Sequence, residues 1–172
     1  GRLERIYQDI RKYDGWDAYI VPIPYYDKDE TGALGTMHYE AAGDYPTGIE
    51  LADWKTYNVE QRCPDVVFVT DVYGELGSTA TVHPDFYASR LREFTDLLVC
   101  VPCTAHDEEF DPDAGKLPGV CLADKVVVDS EDVRQQYISS ILSHDQETSR
   151  ETVEKKVVTF DSLEIGETLE SR

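Results

Sequence analysis

The chain has 172 residues, with 35 Asp and Glu against 16 Lys and Arg, a formal net charge of −19 and a pI near 4.4. A chain this acidic repels phosphate backbones and anionic membrane surfaces, which excludes a general basic face for nucleic acid or lipid. No run approaches the roughly 18 apolar residues of a membrane span, and the start Gly1-Arg-Leu-Glu-Arg5 carries no apolar leader, so a cytoplasmic protein is expected.

Residues 2–13 place Leu3, Ile6, Tyr7 and Ile10 at i, i+3, i+4 and i+7, an apolar helical stripe that Asp14-Gly15 ends. Residues 18–23, Ala-Tyr-Ile-Val-Pro-Ile, are too few for a helix and rich in β-formers, and read as a buried strand. Residues 24–48 show no sustained period, only turn residues with scattered tyrosines, and a connection that long is expected to be functional. Asn58 with Gln61 starts a short helix before Pro64, residues 65–70 form a second buried strand, and a glycine- and hydroxyl-rich loop covers 71–81. Pro84 opens a helix with Tyr87, Leu91 and Phe94 on its apolar stripe, followed by a third strand at 97–101 and an acidic loop at 105–115. After a fourth strand at 125–129, Ser130 caps a helix whose face is Val133, Tyr137, Ile138 and Ile141. Thr148 and Glu151 form a capping box, and residues 157–160 are a fifth strand.

Short apolar strands alternating with amphipathic helices predict one α/β domain over 1–160, a mostly parallel sheet with helices on both faces, Rossmann-like or flavodoxin-like in strand order. Such domains open with a strand and this sequence opens with a helix, so the first strand is expected to lie upstream. Residues 161–172 read as a tail or a linker to a further part.

Ligands of open α/β sheets bind beyond the carboxyl ends of the strands, which selects the loops 24–48, 71–83 and 103–118. In the second, Gly74 and Gly77 allow close backbone approach, Tyr73, Glu75, Ser78, Thr79 and Thr81 supply polar groups, and the helix start at His83-Pro84 offers N–H groups to a phosphate or carboxylate. The positive helix end is expected to keep His83 neutral and able to accept a proton; the alternative is a capped turn with a solvated histidine. The glycine spacing matches neither the P-loop nor the dinucleotide fingerprint.

Cys63, Cys100, Cys103 and Cys121 invite a zinc or redox reading, but a single C-x-x-C at a strand end with two remote partners is a weak signal, and buried or inert thiols are expected. Asp107, Glu108, Glu109, Asp111 and Asp113 lack EF-hand spacing and read as a solvated loop, so no metal site is predicted. His106 and His144 read as exposed, Trp16 and Trp54 as core or core rim. Residues 64–71 resemble the phospho-acceptor strand of response-regulator receivers, but the acidic pair and the lysine of that site are missing, which leaves an analogy of fold.

Four stretches carry a closer resemblance: Asp17-Ala-Tyr-Ile-Val-Pro-Ile-Pro-Tyr-Tyr-Asp-Lys-Asp, Met37-His-Tyr-Glu, Arg62-Cys-Pro-Asp-Val-Val-Phe-Val and Thr81-Val-His-Pro-Asp-Phe-Tyr. They resemble the N-terminal region of bacterial CDP-glycerol glycerophosphotransferase-like proteins, teichoic-acid polymerase-like enzymes of the cell wall with two Rossmann-like domains in the GT-B arrangement. The match runs from about Leu3 to Ile141. It implies the acceptor-side domain of a glycerophosphotransferase-like or glycosyltransferase-like enzyme, inactive alone, whose missing C-terminal domain holds a nucleotide-linked donor, CDP-glycerol or a nucleotide sugar. His38, Glu40 and His83 fall in the matching motifs and would line the interdomain cleft. His83 would be the base that deprotonates a small-molecule, glycan or polyol acceptor, or a donor to a phosphate oxygen. Such an enzyme works in the cytoplasm or, through its other parts, at the inner face of the membrane. Nothing in the chain matches the donor-binding half, and its acidity suits a polyanion poorly. The competing expectation is a non-catalytic ligand-binding or partner-docking module.

Overall fold

The computed structural model describes residues 2–39, 45, 48–103, 109–163 and 166. Helix α1 (Arg2–Ile10) buries Ile6, Tyr7 and Ile10, as the apolar stripe predicts. Strands β1 (Tyr25–Lys28) and β2 (Leu34–His38) form an antiparallel hairpin inside the stretch read as a long loop. Its turn is built by Asp29, whose carboxylate accepts the N–H groups of Thr31 and Ala33 and the Thr31 hydroxyl. Helix α2 (Val59–Arg62) starts where expected, with the Asn58 side chain accepting from the Gln61 N–H.

Strand β3 (Val66–Val69) is followed by β4 (Ala80–Val82), which pairs with β1 to complete a three-stranded sheet of order β2-β1-β4. The helix expected from Pro84 onward is shorter: a 3-10 turn spans Pro84–Phe86, and α3 covers only Ala88–Arg92. Strand β5 (Leu97–Cys100), the one-turn helix α4 (Pro118–Cys121), β6 (Lys125–Val128), α5 (Glu131–His144), α6 (Arg150–Lys156) and β7 (Val157–Thr159) follow. Ser130 caps α5 as predicted, while α6 is capped by Ser149, because Thr148 is bound to the Asp145 carboxylate instead.

Strands β3, β5, β6 and β7 form a wholly parallel sheet in that order, covered on both faces, so the expected α/β architecture is present together with a separate small antiparallel sheet. On one face α1 packs with Val99, Val101 and Val127, joined by Phe160 and Leu163. On the other, Val59, Phe86 and Leu91 cover Leu98, and Val120, Tyr137, Ile138 and Ile141 cover Cys100, Val126, Val128 and Val157. Central strands buried on both faces explain the near-continuous Val and Leu of β5 and β6. Residues 18–23 form no strand of this sheet; Ile20 makes an isolated parallel bridge to Leu51. Among the described residues no helix is long and apolar enough to cross a membrane.

Candidate functional site

The small sheet gathers the hairpin of residues 25–38 and the strand that ends the 71–83 loop. Strand β1 lies in its centre, with Tyr25 opposite both His38 and Val82, and Tyr26 opposite both Met37 and Thr81. The pairing continues one step further, His83 N–H donating to Pro24 O at 3.1 Å. Side chains alternate along strands, so this register puts Tyr25, Asp27 and His38 on one face and Tyr26, Tyr39, Thr81 and His83 on the other. The two histidines of the matching motifs share a sheet but not a face.

Ring contacts agree with that assignment. His38 stacks on Tyr25, centroids 4.8 Å apart and planes 15° to each other, and its Nε2 lies 2.8 Å from Asp27 Oδ2. His83 sits among Tyr26 at 5.9 Å, Trp54 at 5.0 Å and Phe86 at 6.2 Å, and Tyr39 reaches Trp54 at 6.3 Å. Lys55 Nζ stands 5.7 Å above the Trp54 ring. The Trp54 Nε1 atom is buried without a hydrogen-bond partner among the described residues.

His83 is held by its own turn. Its Nδ1 accepts the Asp85 N–H at 3.3 Å, and its carbonyl accepts the Phe86 N–H. In the neutral ring that bond assigns the proton to Nε2, which makes this nitrogen a donor. The helix expected to begin at His83-Pro84 is a three-residue 3-10 turn followed by five residues of α-helix, which carries little macrodipole.

The 71–81 loop is braced from within. The half-buried Asp71 carboxylate accepts the N–H groups of Tyr73 and Gly74, and burial pushes its pKa up against the lowering effect of these two bonds. A Cβ on Gly77 would meet Ala80 O at 2.1 Å, so this glycine's close approach serves the loop itself. Thr81 is buried, its Oγ1 donating to Gly74 O at 2.8 Å and lying 3.1 Å from the Tyr87 hydroxyl, so it belongs to the brace. Tyr73, Glu75, Ser78 and Thr79 are exposed on the loop, and Lys28 Nζ reaches the Glu75 carbonyl at 2.7 Å. Glu40 lies outside the described residues, as do His106, Asp107 and Glu108.

Cys100 is buried under α5, and desolvation pushes its thiol up to about 12, whereas Cys63, Cys103 and Cys121 are exposed. Asp113 binds Lys116 Nζ at 2.6 Å and lies 3.2 Å from His144 Nε2; the bond from Lys116 is the main cause that holds its carboxyl below the usual range. Among the described residues no group of three or more His, Cys, Asp or Glu is arranged to hold a metal ion.

Sequence reasoning missed Tyr26 and Trp54 as neighbours of His83, and Tyr39 as a neighbour of Trp54. The tyrosines of the 24–48 stretch were the available signal, but their convergence depends on strand pairing between distant segments. The chain matches no protein-family model, no curated protein and no solved structure.

Proposed function

We propose that this chain is the acceptor-side part of a glycerophosphotransferase-like or glycosyltransferase-like enzyme, and that its acceptor seat is the aromatic face of the small sheet around His83. One observation carries the reading: three of the four stretches behind the resemblance, 17–29, 37–40 and 81–87, send residues into that single sheet, the first two through the β1–β2 hairpin and the third, more than forty residues further along the chain, through Thr81 and Val82 of β4. Tyr26, Tyr39, Trp54 and His83 offer flat apolar faces beside a polar ring edge, a combination suited to a polyol or sugar. His83 Nε2–H donates to an acceptor or phosphate oxygen. Proton removal from the acceptor falls to another group, since His83 Nδ1 is engaged by the Asp85 N–H.

The Asp85 carboxylate, 3.7 Å from His83 Nδ1, and the net charge of −19 favour a neutral acceptor over a polyphosphate, and a nucleotide-linked donor such as CDP-glycerol belongs to a second Rossmann-like domain of the intact cytoplasmic enzyme. The same acidity supports a second reading, a module that binds a polyol or glycan without transferring anything to it.

The test is CMP release from CDP-glycerol by the intact protein in the presence of a polyol acceptor, together with NMR titration of this chain with glycerol and with sn-glycerol 3-phosphate. His83→Ala is expected to lower release by about 10²-fold with little change in folding. Shifts are expected at Trp54 and Tyr26. Shifts confined to Tyr25 and His38 would move the seat to the other face, and binding without any release would establish the non-catalytic reading.

A further inference from the structure

Two extended segments, β3 and residues 18–23, send side chains to both faces of the parallel sheet, and among the described residues no ladder joins them. In β3, Val66 and Phe68 join the core cluster on the α1 face, while Val67 and Val69 join clusters on the opposite face. Residues 18–23 alternate in the same way: Ala18 and Ile20 contribute to the α1 face, Val21 and Ile23 to the other. Yet the peptide groups of Ile20 are taken by residues 50 and 52 and not by β3: its carbonyl accepts the Ala52 N–H and its N–H donates to the Glu50 carbonyl. Leu97 N–H donates to Asp65 O and Val101 N–H to Val69 O, which directs residues 65, 67 and 69 of that strand toward β5 and leaves the peptide groups of Val66 and Phe68 aimed at the other edge, where no strand pairs with β3 among the described residues. All four β3 residues are only partly buried, whereas three of four are fully buried in β5 and in β6.

Helix α1 says what belongs between them. Arg2 Nη1 donates to Pro102 O at 2.8 Å and lies 3.3 Å from Asp129 Oδ2, just past the carboxyl ends of β5 and β6. The helix therefore starts at the carboxyl edge of the sheet and returns toward the opposite edge, as the crossover of a βαβ unit does, and residues 18–23 then follow as the second strand-like element of that unit. The connections β3 to β5 and β6 to β7 step in one direction with α3 and α5 on the face opposite α1. Crossovers are right-handed, so a connection through α1 on the other face must step the opposite way. Its first strand then lies on the β3 side of residues 18–23.

We propose that the slot between β3 and residues 18–23 seats one parallel β-strand formed by the residues immediately preceding α1 in the intact protein. That strand pairs with Val66 and Phe68 on one side and with the inward peptide groups of Tyr19, Val21 and Ile23 on the other. It is apolar on both faces, because the clusters above and below it are. Strand order reverses at this point, and the sheet becomes doubly wound in the flavodoxin-like sense.

Amide hydrogen exchange tests this on the 172-residue chain and on the chain lengthened by its own upstream-encoded residues. In the shorter chain, Val66 and Phe68 amides are expected to exchange about 100-fold faster than those of Val67 and Val69, and in the longer chain all four are expected to be equally protected. Equal protection already in the shorter chain overturns the proposal, as does continued exposure in the longer one, or a mature protein with no residues before α1. Protection of the shorter chain that grows with its concentration overturns it in favour of a second copy at the edge. Val66→Pro removes an outward N–H at the first position of β3, where proline is tolerated, and leaves the bonds to β5 in place. It is expected to lower Tm more in the longer chain than in the shorter; equal losses would show an edge without a partner.

Discussion

The rings of His83 and Trp54 lie 5.0 Å apart with their planes inclined by 49°, and the indole Nε1 of Trp54 is buried without an acceptor among the described residues. An N–H shut away from water with no partner costs about 1–3 kcal/mol. Trp54→Phe removes that cost and keeps a ring against His83, so the variant is expected to stay within about 1 kcal/mol of the parent in urea unfolding, despite its smaller ring. Trp54→Ala, which leaves a void, is expected to lose about 3 kcal/mol. A Phe variant as damaged as the Ala variant would show that the indole N–H has a partner in solution.

Ser140 on α5 ties the 3-10 turn at Ala114–Lys116 to the helix: its hydroxyl accepts the Gly115 N–H at 2.7 Å and donates to Pro112 O at 2.6 Å. Ser140→Ala leaves the buried Gly115 N–H and the Pro112 carbonyl without this partner and is expected to cost about 1–3 kcal/mol. Gly115→Ala is expected to cost more, because its Cβ would meet the Ile141 backbone nitrogen at 2.5 Å, and a helix backbone cannot yield as a side chain does. Chemical denaturation of the two variants checks the order; Gly115→Ala equal to the parent would mean that the turn stands off from α5.

Legibility in the sequence follows burial. Strands β5 and β6, covered on both faces, are continuous apolar runs that cannot be mistaken for loops, and the stripe of α1 and the Ser130 cap are local signals. The β1–β2 hairpin was hidden because Leu34–Met37 are all exposed and β1 alternates only between exposed and half-exposed, so no apolar period marks it. The 18–23 run reads as a strand because its side chains feed both cores, but its ladder partner is a question of long-range pairing that local pattern does not contain. The same limit applies to the site. His38 and His83 were identifiable as residues, while their separation onto two faces came from a register set by Tyr25 and Tyr26.

The four thiols are expected to divide by exposure. Cys63, Cys103 and Cys121 are open to solvent, whereas Cys100 is buried, with its pKa raised to about 12 chiefly by desolvation. Iodoacetamide at pH 8 is expected to label the first three in the native state, with Cys100 modified only at the rate of global unfolding. Peptide mass spectrometry reads this directly. Labelling of Cys100 as fast as Cys103 would mean that the α5 side of the sheet opens locally.

Asp71 and Asp145 are expected to give stability opposite dependences on pH. Burial raises the Asp71 pKa above the ordinary Asp value of 3.8, so its contribution is fully present below that value and is lost as pH rises through the raised native pKa. Asp145 is lowered, first by the Thr148 hydroxyl and then by the Thr148 N–H, so its contribution is present above 3.8 and is lost as pH falls through the lowered native pKa. Each Asn variant removes one titration. Relative to the parent, Asp71→Asn is expected to gain stability as pH is raised from below 3.8 toward neutrality, and Asp145→Asn to lose it over the lower part of that range. Urea unfolding of the parent and both variants between pH 3 and 7 measures the two slopes; slopes of the same sign would show that general repulsion among the acidic side chains, and not these two local environments, governs the acid limb.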